Sequence, residues 1–282
     1  MTKVGSKKID DFFVTTDSVD SLKNLVESYS EYENQLSRIP KKNALKDDVS
    51  KLKFFREIHS NRKLETLYRK REDANNALSV YWLSRVKELA ALYSAFNNVV
   101  KFKGINKTEL KEIATLSHDV RNLTILEDFF AERGIILVTE QSLSGLKLDG
   151  AVFMLSSGQA VVALSLRYKR LDYFWFTLMH ELAHLCLHLD QLGSPIIEDL
   201  DSEAQTLIEL EADKLALNSF VPRNIWRNCP PKYSFSEESV IDFANTMNIH
   251  PTIVAGRLRK ELNRYDLLSK MINRINVQEY FL

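Results

Sequence analysis

Three of the six histidines of this 282-residue chain fall within nine residues, in the run His180-Glu181-Leu182-Ala183-His184-Leu185-Cys186-Leu187-His188. The first five read H-E-x-x-H, a pattern that composition alone would produce in roughly 1 in 100 chains of this make-up. Residues four apart on a helix lie one turn apart on one face. His180 and His184 can therefore offer two imidazoles to one ion, with Glu181 beside them as a base for a metal-activated water.

A hydrolytic zinc site needs a third protein ligand, and one candidate segment lies downstream. Ile208-Glu209-Leu210-Glu211-Ala212-Asp213-Lys214-Leu215-Ala216 sits in a stretch that reads as a helix from about Ser202 to Phe220. At about 100° per residue, Glu209 and Asp213 lie about 40° apart, whereas Glu211 is about 160° away from Glu209. Ala212 and Ala216 flank the shared face, small enough to let this helix approach the H-E-x-x-H helix closely. The spacing assigns Glu209 as third ligand and Asp213 as acceptor for the outer nitrogen of a ligand histidine. His188 lies about 12 Å along the helix axis from His180 and rotated by about 80°, too far for the same ion. It is expected to partner the substrate or one of the residues around the ligands.

The elements that must position these groups follow from periodicity. Apolar residues recur at helical spacing through Leu22–Leu36, Val49–Leu67, Ala74–Phe96 and Lys107–Arg133, so the first half is helical. The stripe of Tyr81, Trp82, Leu83, Leu89, Leu92, Tyr93 and Phe96 reads as core. Gly134 ends the last helix and Ile135–Val138 begins a strand region. A hairpin is expected from Ala151–Leu155 and Ala160–Leu166, turning through Ser156–Gln159, just before the motif helix. In such a layout an extended peptide can add to a sheet edge beside the metal.

Composition narrows the class. Hydrophobic residues make up 45% of the chain and net charge is zero, so a sizeable core is affordable and no whole-protein attraction to nucleic acid is implied. Residues 1–104 hold 20 Lys plus Arg against 14 Asp plus Glu, and the remainder is correspondingly acidic. Cys186 and Cys229 stand in no disulfide-framework spacing, which points to a reducing compartment. No hydrophobic leader follows Met1 and no apolar run has membrane-spanning length, so a cytoplasmic location is expected.

The run Leu146-Lys147-Leu148-Asp149-Gly150-Ala151, then Ala163 to Met179 leading into His180-Glu181-Leu182-Ala183-His184, resembles the ImmA/IrrE family of zinc metallopeptidases. The helix Glu209-x-x-Ala212-Asp213-x-x-Ala216, closing at Val221-Pro222, fits the same family's second motif. The stretch from about Val80 to Leu262 is most similar to the peptidase-like domain fused to helix-turn-helix antitoxins of the HigA type. The resemblance implies zinc on His180, His184 and Glu209, with Glu181 as catalytic base; Asp213 and His188 keep the supporting roles that helix geometry gives them. It also implies a regulatory protein as substrate, such as a transcriptional repressor or a toxin–antitoxin component. One Zn2+ per chain is expected, with Mn2+ as a substitute in vitro.

The expected fold is α+β, a mostly helical N-terminal region followed by a zincin-like metallopeptidase domain with a small β-sheet and the H-E-x-x-H helix. The parts expected are a helical extension over 1–75, a helical lead-in over 76–133, the peptidase core over 134–235 and a helical region over 236–282. Residues 1–45 offer only one long amphipathic stretch and a polar break at Ile39–Asn43, too little for a DNA-binding unit, although Val49–Phe55 has the look of the tail of one. Residues 243–259 have helix-turn-helix spacing, but only Thr252 is a clear base-reading candidate at the start of the second helix. A structural helix pair is the expectation there, with His250 at the helix entry, and direct DNA binding is not expected. The rival to an enzyme is an antitoxin-like binding protein that keeps the metal site without turnover. An intact Glu181 and an open fourth ligand position favour chemistry. Tyr168, Arg167 and His188 are candidates to stabilise negative charge on a reacting carbonyl.

Overall fold

Gly134, at φ 75°, is the hinge between the helical half and the sheet. A Cβ there would lie 2.5 Å from the backbone nitrogen of Phe102, so only glycine lets the chain turn against that strand-like segment. The computed structural model describes residues 16–61, 74–192, 196–197 and 207–281. They divide into two compact units, residues 1–81 and 82–282.

In the first unit, α1 (Thr16–Arg38) packs against α2 (Asp48–Asn61). Tyr32 sits edge-on to Phe55, with ring centroids 5.7 Å apart, and lies against Phe54. The expected continuation of α2 to Leu67 lies outside the described residues. A third helix, α3 (Ala74–Phe96), has Trp82 buried with its indole nitrogen donating to the carbonyl of Glu140 at 3.2 Å.

The long helix expected over Lys107–Arg133 is instead two short ones, α4 (Lys107–Thr115) and α5 (Leu126–Ala131), joined by 3-10 turns. Asp119 breaks it: its backbone is extended (φ −112°, ψ 121°) and its carboxylate accepts from the Arg121 amide at 2.9 Å. A short acidic side chain that bonds its own backbone outcompetes the helix at that point.

The sheet contains β1 (Ile135–Thr139), β2 (Gly150–Met154), β3 (Ala160–Leu164) and, after the motif helix, the two-residue β4 (Ile196–Ile197), in the order β1-β3-β2-β4. The pair β2–β3 is the expected hairpin, in register Met154↔Ala160, with Gly158 at φ 95° in its turn. β1 runs parallel to β3, and β4 pairs antiparallel with Ala151 and Val152. All three longer strands are almost wholly buried, which is why they read as apolar runs rather than as alternating strands.

The motif helix α6 (Leu171–Leu187) crosses the sheet and packs on β2, β3, α4, and on α7 (Leu207–Phe220). It is buried on every face, with Leu171, Trp175, Leu178, Leu182 and Leu185 in the core. The short helices α8 (Arg223–Arg227) and α9 (Pro231–Ser234) lead to the pair α10 (Glu237–Thr246) and α11 (Pro251–Leu262), then to α12 (Ser269–Ile272) and α13 (Gln278–Phe281). The helix-turn-helix spacing thus corresponds to α10 and α11, but Thr252 is buried and α11 packs on α6, so α11 is a core helix. The architecture is α+β, mostly helical around one small sheet. Among the described residues no helix is long and apolar enough to cross a membrane.

His250 caps α11: its Nδ1 accepts the Thr252 amide hydrogen at 3.2 Å, which requires that nitrogen to be unprotonated. Burial, helped by His118, lowers its pKa from 6.5 to about 4. The unfolded chain therefore takes up this proton first, so the capping contribution is complete above pH 6.5 and declines as pH falls toward 4. In His250→Asn, an amide that caps without titrating, the melting temperature should fall less between pH 7 and pH 4.5 than in the parent, by calorimetry. Equal losses would show that His250 is not the group responsible.

Candidate metal centre

The ligand candidates come from two helices that the sequence separates by more than twenty residues. His180 and His184 are one turn apart on α6, and Glu209 is in the first turn of α7. The buried Ala212 and Ala216 form the face of α7 near α6, and the absence of larger side chains there permits close packing. Nε2 of His180 lies 2.9 Å from Nε2 of His184 and 3.0 Å from Oε2 of Glu209; the third side of the triangle is 3.4 Å.

These distances fit a metal ion. Donors about 2.0–2.1 Å from a tetrahedral centre are separated by about 3.3 Å, close to all three sides of the triangle. The outer nitrogen of His180 lies 3.0 Å from Oδ1 of Asp213, a carboxylate that can only accept, so the Nδ1 proton is committed there. Its Nε2 lone pair then faces a carboxylate and another imidazole. A shared proton would relieve one of those contacts, whereas a cation relieves all of them.

Electrostatics agree with ionised acids and, at His184, a neutral base. Burial works to raise the Glu209 carboxyl, but the hydrogen bonds and charges of His180 and His184 overcome it and hold it at about 2. Burial likewise opposes ionisation of Asp213, yet the His180 contact and the Lys260 charge leave its pKa lowered. For His184 burial dominates and lowers the pKa, favouring the neutral imidazole that a metal ligand must be.

His188 is the last residue of this network. Its Nδ1 is 3.1 Å from Nδ1 of His184, and its Nε2 is 3.2 Å from Oε2 of Glu211. Both ligand imidazoles therefore have a partner on their outer nitrogen, carboxylate for one and imidazole for the other. Glu211, which helix geometry sets on another face from Glu209, is the member that sequence reasoning missed. An offset of about 160° turns it away from the ion but toward the C-terminal end of α6. An acidic residue two positions after a ligand glutamate was the available signal.

Glu181 is fully buried, one residue after His180. A Cβ on Gly150 would lie 2.2 Å from its Oε1 and 2.9 Å from its Cδ, so β2 approaches the carboxylate at backbone distance. The other charge-stabilising candidates are distributed. Arg167 lies 3.6 Å from Asp149, Tyr168 stacks on Tyr173 with centroids 4.2 Å apart, and His188 is held by His184 and Glu211.

Beside the centre a cleft of about 380 Å³ runs along α6. His180 and Asp213 stand at one end, Tyr173 and Phe176 along it, and Asp172 with Gly256 at the other. Asp172 is buried and carries a two-pronged bond from Arg170, at 3.0 and 2.5 Å. Gly256 of α11 must be glycine, because a Cβ would meet the Asp172 carboxylate at 2.2 Å.

Removing one ligand or one outer partner should have separable effects. Glu209→Ala should lose stoichiometric metal, while Asp213→Ala should still bind it about 10–100-fold more weakly, measured by competition with a chromophoric chelator. Full affinity in Glu209→Ala would remove that residue from the ligand set.

No curated protein matches the chain. Residues 131–258 match a peptidase family, the IrrE N-terminal-like domain, and that stretch contains the sheet, α6, α7 and most of α11. Over these residues the chain is therefore similar to the ImmA/IrrE peptidase family.

Proposed function

We propose that the chain is a zinc-dependent endopeptidase that cuts a regulatory protein, such as a transcriptional repressor or toxin–antitoxin component, in the cytoplasm. The observation that carries this reading is the convergence of two imidazoles and a carboxylate next to a fully buried glutamate, in a stretch that matches a peptidase family. Bound zinc would supply Lewis acidity, activating water and polarising the scissile carbonyl.

The chain's own residues do the rest. His180, His184 and Glu209 would hold the ion, leaving one position open. Asp213 fixes the tautomer of His180, and His188, itself tied to Glu211, orients His184. Glu181, held against the backbone of β2, takes a proton from the attacking water and returns it to the leaving amine. The cleft along α6 takes side chains of the substrate, and its aromatic walls suit apolar ones. The peptide backbone would lie along β4, the outer strand on the β2 side of the sheet.

The test separates cleavage from metal binding. Mixed with a repressor encoded beside its own gene, in zinc or manganese, the protein should produce a discrete cut seen by mass spectrometry. Glu181→Gln should keep its metal and lose about 10²–10⁴-fold of the rate. Full activity in that variant would sink the assignment of the base. Tight binding without any cut would instead favour an antitoxin-like binding protein.

A further inference from the structure

A second, shallower hollow of about 440 Å³ opens beside the metal centre, and its charge runs against its surroundings. Residues 105–282 carry 18 Lys plus Arg against 24 Asp plus Glu. Yet five cations line this hollow, Lys214 of α7, Arg223 and Arg227 of α8, Lys232 of α9 and Arg257 of α11. Only Asp213 and Glu261 oppose them, leaving a local charge of +3.

The five cations fall into two groups. Lys232 and Arg257 are committed: each lies 3.1 Å from the Glu261 carboxylate, and their charged ends sit 5.1 and 4.2 Å from the ring centre of Trp226. Lys214, Arg223 and Arg227 are exposed, and their side chains form no hydrogen bond or ion pair with any described residue. Among the described residues, three cations without a carboxylate partner thus rim a floor that is already neutralised.

The hollow is continuous with the catalytic cleft. Asp213, Leu217, Arg257 and Glu261 line both, and Asp213 is the residue bonded to His180. We propose that the hollow docks an acidic stretch, Asp or Glu side chains, of the polypeptide whose adjoining residues enter the metal cleft. This rests on the peptidase reading of the centre. A nucleic acid fits less well. Trp226 is 3% exposed and its ring is taken by Arg257 and Lys232, so no aromatic face is offered to a base.

The probe is fluorescein-labelled decaglutamate, added to the full-length metal-loaded protein carrying Glu181→Gln so that a bound peptide is not consumed. Decaglutamate should raise fluorescence anisotropy, weaken with added salt, and bind more tightly than decaglutamine or a single-stranded ten-nucleotide DNA. Arg223→Glu with Arg227→Glu should weaken decaglutamate binding about tenfold, both sites being exposed and unpaired. Circular dichroism and metal content check that this double variant folds. Equal binding of decaglutamine, or an unchanged affinity in the double variant, overturns the proposal; tighter binding of the DNA overturns it in favour of a nucleic-acid surface. Decaglutamate binding that the double variant loses upholds the docking surface even where no protein is cut, and in that case the hydrolytic reading alone falls.

Discussion

Three electron-pair donors at mutual distances of 2.9–3.4 Å, the two imidazoles buried and the carboxylate partly so, form the arrangement on which the rest of the site depends. Without a cation they repel, so the fold must hold them together before an ion arrives. The force comes from apolar burial around α6, which has no solvent face and so cannot rotate without exposing Leu178, Leu182 or Leu185. The direction comes from the outer nitrogens, one tied to Asp213 and the other to His188, which fix each ring's orientation as well as its position.

The helix is also located along its length by two close approaches to backbone. At one end Gly150 of β2 admits the Glu181 carboxylate, and at the other Gly256 of α11 admits that of Asp172. A methyl group at either place would have to displace a buried carboxylate, because the clash distance is 2.2 Å in both. The two contacts hold different faces of α6, one against the sheet and one against the C-terminal helices. Glu181 therefore faces β2, while Asp172, Phe176 and His180 line the cleft. Glu181 and the cleft are thus set on different sides of α6.

Much of this was legible in the residues themselves. A spacing of four carries its own geometry, so the placing of His180 with His184, and of Glu209 with Asp213, follows from helical repeat alone. The hairpin was readable because Gly158 and its polar neighbours punctuate two apolar runs. Contacts across elements were not. Glu211 reaches His188 only because α7 packs against α6 in one register, and periodicity within a helix says nothing of that register. Asp119 shows the converse failure, where one side chain bonded to its own backbone ends a helix that the apolar pattern would continue. Arg257 and Arg259 of α11 are likewise buried, by packing that no pattern within their own helix announces.

Charge is arranged with the same locality. Screening at physiological salt acts over about 8 Å, so a partner meets the charges nearest it rather than the sum over the chain. Around the centre those charges are Glu181, Glu209, Glu211 and Asp213, which a divalent ion only partly offsets, whereas further along the cleft Asp149 and Asp172 are paired with Arg167 and Arg170. An acidic segment is repelled by the carboxylates around the centre and is better accommodated where cations have no carboxylate partner among the described residues. Lys214, Arg223 and Arg227 lie past Asp213, where the carboxylates around the centre give way to the hollow. On the proposed reading, a polypeptide with an acidic run beside an apolar one would have a single register that matches both surfaces, so the charge boundary would fix which peptide bond lies over a bound ion.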